Sequence, residues 1–252
     1  MTRASSERVL TILDLFSEDR LEWSSQDMMD VLGYSRPTLY RYLKVLKETG
    51  FLAPMQGGGF GLGPRFVEMD FLARKSDPLV AHGTPQLETL ADTFPGTAFL
   101  VRWYGERMLC VASVSRDATA RTSYPRGRPM PLLNGAAAKA ILAHLPRRRQ
   151  QQLAERAADP ALLDSFRTIR RDGIATAHGE VTRGIVGTAA PVFDASAAPI
   201  ASLCVSMDAA AYRAIDAAHL ADAIRAATRA LNAALGEPAT PSHTPVSAEG
   251  PP

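Results

Sequence analysis

The stretch that decides the fold runs from 24 to 52 and reads SSQDMMDVLGYSRPTLYRYLKVLKETGFL. Ser24 or Ser25 can begin a helix by accepting a hydrogen bond from an unpaired backbone N–H, and Gly33 can end it because glycine tolerates positive φ. Ser35 can cap a second helix. Two capped helices joined by a tight glycine turn are the layout of a DNA-reading helix-turn-helix.

Both helices of this stretch have an apolar side. The residues expected to face the core, because they recur at helical spacing, are Met28, Val31 and Leu32 in the first helix and Leu39, Tyr42, Leu43 and Leu46 in the second. The outer side of the second helix carries cations and hydroxyls, which suit phosphates and base edges. A charged outer face is also usual for a solvated helix without a partner, so charge alone does not decide between them.

DNA contacts are predicted from the outer side of the second helix. We expect Arg36, Thr38 and Arg41 to enter the major groove, while Lys44 and Lys47 hold phosphates. The complete set of predicted DNA-contacting residues is Ser25, Ser35, Arg36, Thr38, Tyr40, Arg41, Lys44, Lys47 and Gln56. Residues 1–63 contain seven Lys and Arg against eight Asp and Glu. Binding should therefore depend on geometry and dimerisation more than on net charge.

The flanking segments complete a winged helix over residues 1–63. Two short apolar runs surround the glycine cluster 57–59, which predicts a hairpin, and a hairpin directly after a recognition helix is a wing. Upstream, a helix capped by Ser6 should supply the core that two helices lack. Its predicted inward residues are Val9, Ile12, Leu13 and Phe16.

The whole chain suits a two-domain protein that is not an enzyme. Its 252 residues, 46% of them hydrophobic, exceed the needs of one winged helix. No apolar run reaches the roughly 18 residues that span a bilayer and the N-terminus lacks a signal segment, so we expect a cytoplasmic protein. No Gly-x-Ser-x-Gly, His-Glu-x-x-His, Walker or Gly-x-Gly-x-x-Gly motif occurs. Neither the two cysteines nor the five histidines have ligand spacing, so no catalytic residue, metal or cofactor is predicted.

The remainder of the chain predicts a linker helix over 64–76, an α+β domain over 77–236 and a disordered tail over 237–252. The linker helix is apolar enough to pack against its copy in a dimer or to fold back on its own domain. In the α+β domain, helices are predicted over 78–92, 134–145, 147–158, 161–171 and 211–235, and antiparallel strands over 97–103, 107–114, 187–193 and 199–207.

The order of winged helix, linker helix and α+β domain resembles the IclR family of bacterial transcription regulators, whose sensing domain is GAF-like. Six segments in register carry the resemblance, namely RVLTILDLF (8–16), SRPTLYRYLK (35–44), GRPMPL (127–132), AKAILAHLP (138–146), IRRDGI (169–174) and GEVTRGIVGTAAPVFD (179–194). The resemblance implies binding to double-stranded operator DNA as a homodimer or a dimer of dimers, a homotetramer. It also implies a small effector in the second domain, often an aromatic or aliphatic carboxylic acid, which biases the placement of the two winged helices through the linker helix.

The effector pocket that the resemblance implies has nine candidate residues: Met130, Asn134, Gly135, Ala136, Ala137, His178, Glu180, Cys204 and Ser206. Small residues at the start of a helix leave backbone N–H groups that can meet a carboxylate, and Cys204 and Ser206 share one face of a strand. Where many relatives have a carboxylate before the Gly-Glu pair, this chain has Ala177 and His178, and it has Ala138 where relatives often have glycine. These differences predict a pocket without that acidic group, in which a protonated His178 could pair with an anion.

A second interpretation stays open at this point. The protein could bind DNA constitutively or under the control of a partner, with the second domain serving only oligomerisation. The arginine run 147–149 would then be a docking patch, although a solvated helix start is the simpler explanation.

Overall fold

The computed structural model describes residues 5–116 and 124–236, and the chain divides into two compact units between Asp77 and Pro78. The tail predicted to be disordered, 237–252, lies outside the described residues. Within the two described ranges, no helix is both long and apolar enough to cross a membrane.

The first unit is a winged helix followed by the linker helix. Its elements are α1 (Ser5–Leu10), a short 3-10 turn (Leu13–Leu15), α2 (Ser25–Leu32), α3 (Arg36–Glu48), the hairpin strands β1 (Leu52–Pro54) and β2 (Phe60–Leu62), and α4 (Arg65–Ser76). The predicted burial of Leu39, Tyr42, Leu43 and Leu46 is confirmed. Ser24 caps α2 by accepting a hydrogen bond of 3.1 Å from the Asp27 N–H, and Gly33 ends it at φ 66°.

Two local predictions in the helix pair were wrong. Val31 is 60% exposed, because α2 meets the core along a narrow stripe of Met28, Met29 and Leu32, and Val31 lies outside the edge of that stripe. The Ser35 hydroxyl does not cap α3. Pro37 removes one of the two N–H groups within its reach, and the hydroxyl donates instead to Thr38 Oγ1 at 3.0 Å.

The first helix is also shorter than predicted. It ends at Leu10, so Ser6 lies inside it and the apolar residues that follow belong to the 3-10 turn and its flanks. Ile12 is still fully buried, and Val9, Leu13 and Phe16 pack around the same core. These apolar residues still face the core because the 3-10 turn continues the helical course of the chain after Leu10.

The second unit is an α+β domain built on one antiparallel sheet. Its strands are β3 (Thr97–Trp103), β4 (Met108–Ser115), β5 (Pro129–Met130), β6 (Ala175–His178), β7 (Ile185–Phe193) and β8 (Pro199–Asp208), in the spatial order β5-β4-β3-β8-β7-β6. Its helices are α5 (Pro78–Thr93), α6 (Ala136–Leu142), α7 (Arg147–Ala157), α8 (Ala161–Asp172), α9 (Ala209–Ala214) and α10 (Ala217–Gly236).

Two cores form on the two faces of this sheet because successive strand residues point to opposite sides. Residues such as Phe99 and Cys204 face the core that includes α6 and α8, where Phe166 is fully buried. Leu100 and Leu203, one residue away on each strand, face the core formed with α5 and α10. The sheet is therefore covered by helices on both sides.

Several predicted bounds in the second unit were wrong for identifiable reasons. The helix expected from 134 begins at Ala136, because Gly135 has φ 89° and cannot continue a helix, and it ends at Leu142. The helix expected over 211–235 is split into α9 and α10, and Asp216 begins α10 by accepting a 2.9 Å hydrogen bond from the Ala218 N–H. The strands β5 and β6 were not predicted.

Candidate functional sites

The predicted DNA-contacting residues gather on one side of the helix pair and on the wing. Seven lie at the start of α3 or along its solvent side, Ser25 lies in the first turn of α2, and Gln56 lies exposed in the turn of the hairpin. Lys44 is 3.8 Å from Glu48, so one acid partly balances the cations near the end of α3. This placement suits a helix lying in the major groove with a wing beside it.

Tyr40 connects the two helices at this face. Its hydroxyl is 3.4 Å from Ser25 Oγ on α2, and the Arg36 guanidinium lies 5.4 Å from its ring centre. The hydrogen bond with Ser25, followed by the positive charge of Arg36, lowers the pKa of Tyr40 below its usual range. The start of α2 and the outer side of α3 therefore share a polar contact at the proposed DNA surface.

The wing is fastened to the segment before α2. Trp23 and Phe60 exchange two backbone hydrogen bonds, of 3.0 and 2.8 Å, so Trp23 forms an isolated antiparallel bridge to strand β2 of the hairpin. The Arg20 guanidinium lies 3.5 Å from the Trp23 ring centre and pairs with Asp27 at 2.5 Å. These contacts, which the sequence did not indicate, fix the wing relative to the helix pair.

The second unit contains a cavity between the start of α6 and one face of the sheet. Eight of the nine predicted effector residues line it, namely Met130, Asn134, Gly135, Ala136, Ala137, Glu180, Cys204 and Ser206. Ala177, near the end of β6, lines it as well. The small side chains along α6 leave this space because they stop short of the sheet.

Ser206 carries an unsatisfied hydroxyl at the cavity. The residue is 2% exposed, and within the part of the chain that the structure describes its Oγ has no hydrogen-bond partner within 3.5 Å. Its neighbour is the Tyr124 phenol: burial raises the pKa of Tyr124, and the nearby Ser206 side chain opposes that rise. By contrast, Ser202, four residues earlier on the same face of β8, donates a 2.9 Å hydrogen bond to the Ala137 carbonyl. Buried hydroxyls are almost always paired, so the Ser206 hydroxyl keeps an open hydrogen-bonding position beside the cavity.

Cys204 lies between these two serines on β8 and is a poor nucleophile. Burial raises the pKa of its thiol far above the ordinary value, so the sulfur stays protonated. Gly187 on β7 leaves room beside it, since a β-carbon there would lie 3.7 Å from the Cys204 sulfur. Cys204 therefore acts as a small apolar wall of the cavity.

Glu180, one of the predicted effector residues, is bound to the start of α6. Its carboxylate accepts a 2.9 Å hydrogen bond from the Gly135 N–H and a 2.5 Å bond from Lys139 Nζ. Partial burial by itself would raise the pKa of Glu180, but these two bonds outweigh it and the pKa is lowered. Glu180 is thus a carboxylate at the cavity that Lys139 neutralises, whereas the positions before the Gly-Glu pair, Ala177 and His178, carry no acid.

His178 is the predicted effector residue that the structure does not bring to the cavity. It ends strand β6, and because Ala177 faces the cavity, the side chain of His178 points to the opposite side. It is exposed and packs edge to face with Tyr212, with 5.6 Å between ring centres. The expectation of a loop histidine facing an anion was wrong because this segment is a strand.

Sequence reasoning missed several residues of the cavity wall. Phe99 and Tyr124 stack with 4.3 Å between ring centres and 26° between planes, and Val181 and Thr182 cover the start of α6. Strand alternation could have identified Phe99, which lies on the same face of the sheet as Cys204. For Tyr124 the sequence offered no signal.

Two family models match the chain. The model described as the IclR helix-turn-helix domain matches residues 5–54, and that of the C-terminal domain of the bacterial transcriptional regulator IclR matches residues 72–233. The HTH-type transcriptional regulator XynR of Escherichia coli K12 is 26% identical over 247 residues, covering 93% of this chain and 98% of XynR. The proteins matched are transcriptional regulators, which confirms the expectation that this chain is not an enzyme.

Solved structures share the fold. The IclR transcriptional regulator of Alicyclobacillus acidocaldarius has a TM-score of 0.78 at 20% identity, covering 94% of this chain and 98% of that one. An IclR homologue of Microbacterium hydrocarbonoxydans, solved in complex with 4-hydroxybenzoate, has a TM-score of 0.78 at 18% identity, covering 92% and 99%. The helix-turn-helix, the α+β domain and both family matches lead to one conclusion: the chain belongs to the IclR family of bacterial transcriptional regulators.

Proposed function

We propose that a small carboxylic acid, bound in the cavity beside α6, adjusts the affinity of this DNA-binding regulator for its operator. The unsatisfied, buried Ser206 hydroxyl is the observation that carries the proposal. An oxygen of the ligand would satisfy it, and the first turn of α6 adds backbone N–H groups that have no partner within the helix. The relative from Microbacterium hydrocarbonoxydans, solved with 4-hydroxybenzoate, supports an organic acid as the class of ligand.

Thermal melts with a panel of carboxylic acids test this proposal. An acid that binds the folded protein at a hundred times its dissociation constant should add about 2.7 kcal/mol to the free energy of unfolding. In a gel shift, the same acid should change the affinity of the protein for operator DNA. We expect Ser206→Ala to weaken that stabilisation, because the ligand oxygen loses its hydroxyl partner. Melts unchanged by every acid would instead favour a constitutive regulator with a purely oligomeric second domain.

We further propose that α3 lies in the major groove, with Arg41 reading a base edge. Arg41 is exposed on the solvent side of α3, and its guanidinium lies 5.2 Å from the ring centre of the neighbouring Tyr42. Arg41→Ala should lower operator affinity by about 1–3 kcal/mol and relax the choice of base at one position. Fluorescence anisotropy on single-base operator variants measures both effects.

Two controls separate base reading from general charge. Lys44→Ala should weaken binding to all sequences alike and reduce the slope of log affinity against log salt by about one. Arg148→Ala removes an exposed cation from α7 in the other unit and should leave affinity unchanged. If Arg41→Ala keeps the base preference of the wild type, the proposed role in base reading is wrong.

The linker helix α4 supports a homodimer. Val67, Phe71 and Leu72 are 73%, 58% and 52% exposed, although they are apolar. Phe66 on the same helix packs edge to face on Phe51, which fixes α4 to the winged helix. We infer that a second copy of α4 covers the exposed residues, since exposed apolar stripes on helices are typical of pairing surfaces.

A further inference from the structure

The cavity of the second unit has an inner and an outer chamber. The inner chamber, beside Ser206 and Cys204, has a cavity volume of about 30 Å³. The outer chamber, beside Arg128 and Pro129, offers about 170 Å³. The two chambers share the wall formed by Tyr124, Met130, Pro131, Val181 and Thr182. They are therefore neighbouring compartments of one site.

Tyr124 is the largest side chain in this shared wall. It is 8% exposed, and its ring stacks on Phe99, which is itself 2% exposed and lines only the inner chamber. Burial raises the pKa of Tyr124, so the phenol is neutral at physiological pH. A buried ring held by stacking keeps one position, and here that position borders both compartments.

The inner chamber is too small for an aromatic ring. One water molecule needs about 10–15 Å³ by this measure, whereas a cavity that binds benzene measures about 150 Å³. The inner chamber therefore accommodates the polar end of a short acid and not a ring. A ring could occupy the outer chamber, but it would then lie on the far side of Tyr124 from the unsatisfied Ser206 hydroxyl.

We propose that Tyr124 determines the specificity of the site for short aliphatic acids of about two to four carbons. Removing its ring would join the two chambers into a space large enough for an aromatic acid that still reaches Ser206. This inference rests on the proposed effector function and narrows the class of ligand. The other residues of the shared wall have smaller or more flexible side chains than Tyr124, so the stacked pair of Tyr124 and Phe99 limits the size of the ligand.

The test compares propionate and lactate with benzoate and 4-hydroxybenzoate as ligands of the full chain. Calorimetric titration and thermal melts give the affinity and the stabilisation for each acid. We expect the wild type to bind the short acids at least tenfold more tightly than the benzoates. In Tyr124→Ala the benzoates should gain at least tenfold and the preference should reverse.

Tyr124→Leu keeps part of the packing and replaces Tyr124→Ala if the alanine variant does not fold. It should also weaken the preference for short acids over benzoates. Tyr104→Ala is the matched control, because Tyr104 is 53% exposed at the β3–β4 turn and should leave the preference unchanged. Benzoate binding to the wild type as tightly as propionate, or an unchanged preference in both Tyr124 variants, would overturn this inference alone. If none of the four acids binds but another acid of the wider panel does, this inference alone fails, whereas a panel in which no acid binds overturns the proposed effector function and the inference with it.

Discussion

Replacing Gly96 with alanine should lower the free energy of unfolding of the second unit by more than about 4 kcal/mol. Only the most disruptive single substitutions cause a loss of this size. Gly96 precedes β3 and has φ 96°, a conformation that residues with a β-carbon rarely adopt. A β-carbon there would also lie well inside van der Waals contact of the Ser206 backbone oxygen. The strands β3 and β8 would have to separate at the position that supports the cavity.

Gly105→Ala is the matched control for this prediction. Gly105 also has positive φ, 82°, at the β3–β4 turn, but a β-carbon there would meet no atom within 4 Å. The Gly105→Ala variant should lose only about 1–2 kcal/mol of unfolding free energy, which is the cost of a left-handed conformation for a residue with a β-carbon. Urea unfolding, followed by circular dichroism, measures both. Equal losses in the two variants would show that the contact with the Ser206 carbonyl does not matter.

Replacing Phe71 with glutamate is expected to separate the proposed dimer and to lower operator affinity by about 10²–10⁴-fold. The substitution puts a charge in the centre of the exposed apolar side of α4, where burial against a second copy would leave it unpaired. A monomer would contact one half-site, and the gain from linking two binding events would be lost. Sedimentation equilibrium gives the mass, and a gel shift on the full operator gives the affinity.

Ser76→Glu controls for the added charge. Ser76 is the last residue of α4 and is exposed, so glutamate there adds the same charge without removing an apolar contact. We expect this variant to remain a dimer and to bind the operator like the wild type. A Phe71→Glu protein that keeps both its mass and its affinity would mean that α4 is not the pairing surface.

The winged helix could be predicted from the sequence because its determinants are local. The bounds of α2 and the buried side of α3 follow from capping residues and three- and four-residue spacing. The errors at Val31 and Ser35 also have local causes, since α2 meets the core along a narrow stripe and Pro37 removes an N–H. Helix spacing indicates which side is apolar but does not give the width of the contact.

The cavity could be predicted only in part, because strand pairing brings it together. Cys204 and Ser206 were predicted to share a face, and the register of β8 against β3 and β7 places them beside α6. Strand β6 consists of small and polar residues that give no strand signal, and missing it put His178 on the wrong side. Tyr124 reaches the cavity from a distant segment, which no periodicity could indicate.

The order of strands in the sheet has a consequence for synthesis on the ribosome. The two central strands, β3 and β8, come from opposite ends of the domain, at Thr97–Trp103 and Pro199–Asp208. The winged helix can fold as soon as it leaves the exit tunnel, because its contacts are close in sequence. The sheet must wait until β8 has been translated. A nascent chain therefore presents a folded DNA-binding unit well before the sheet, and the cavity beside it, can form.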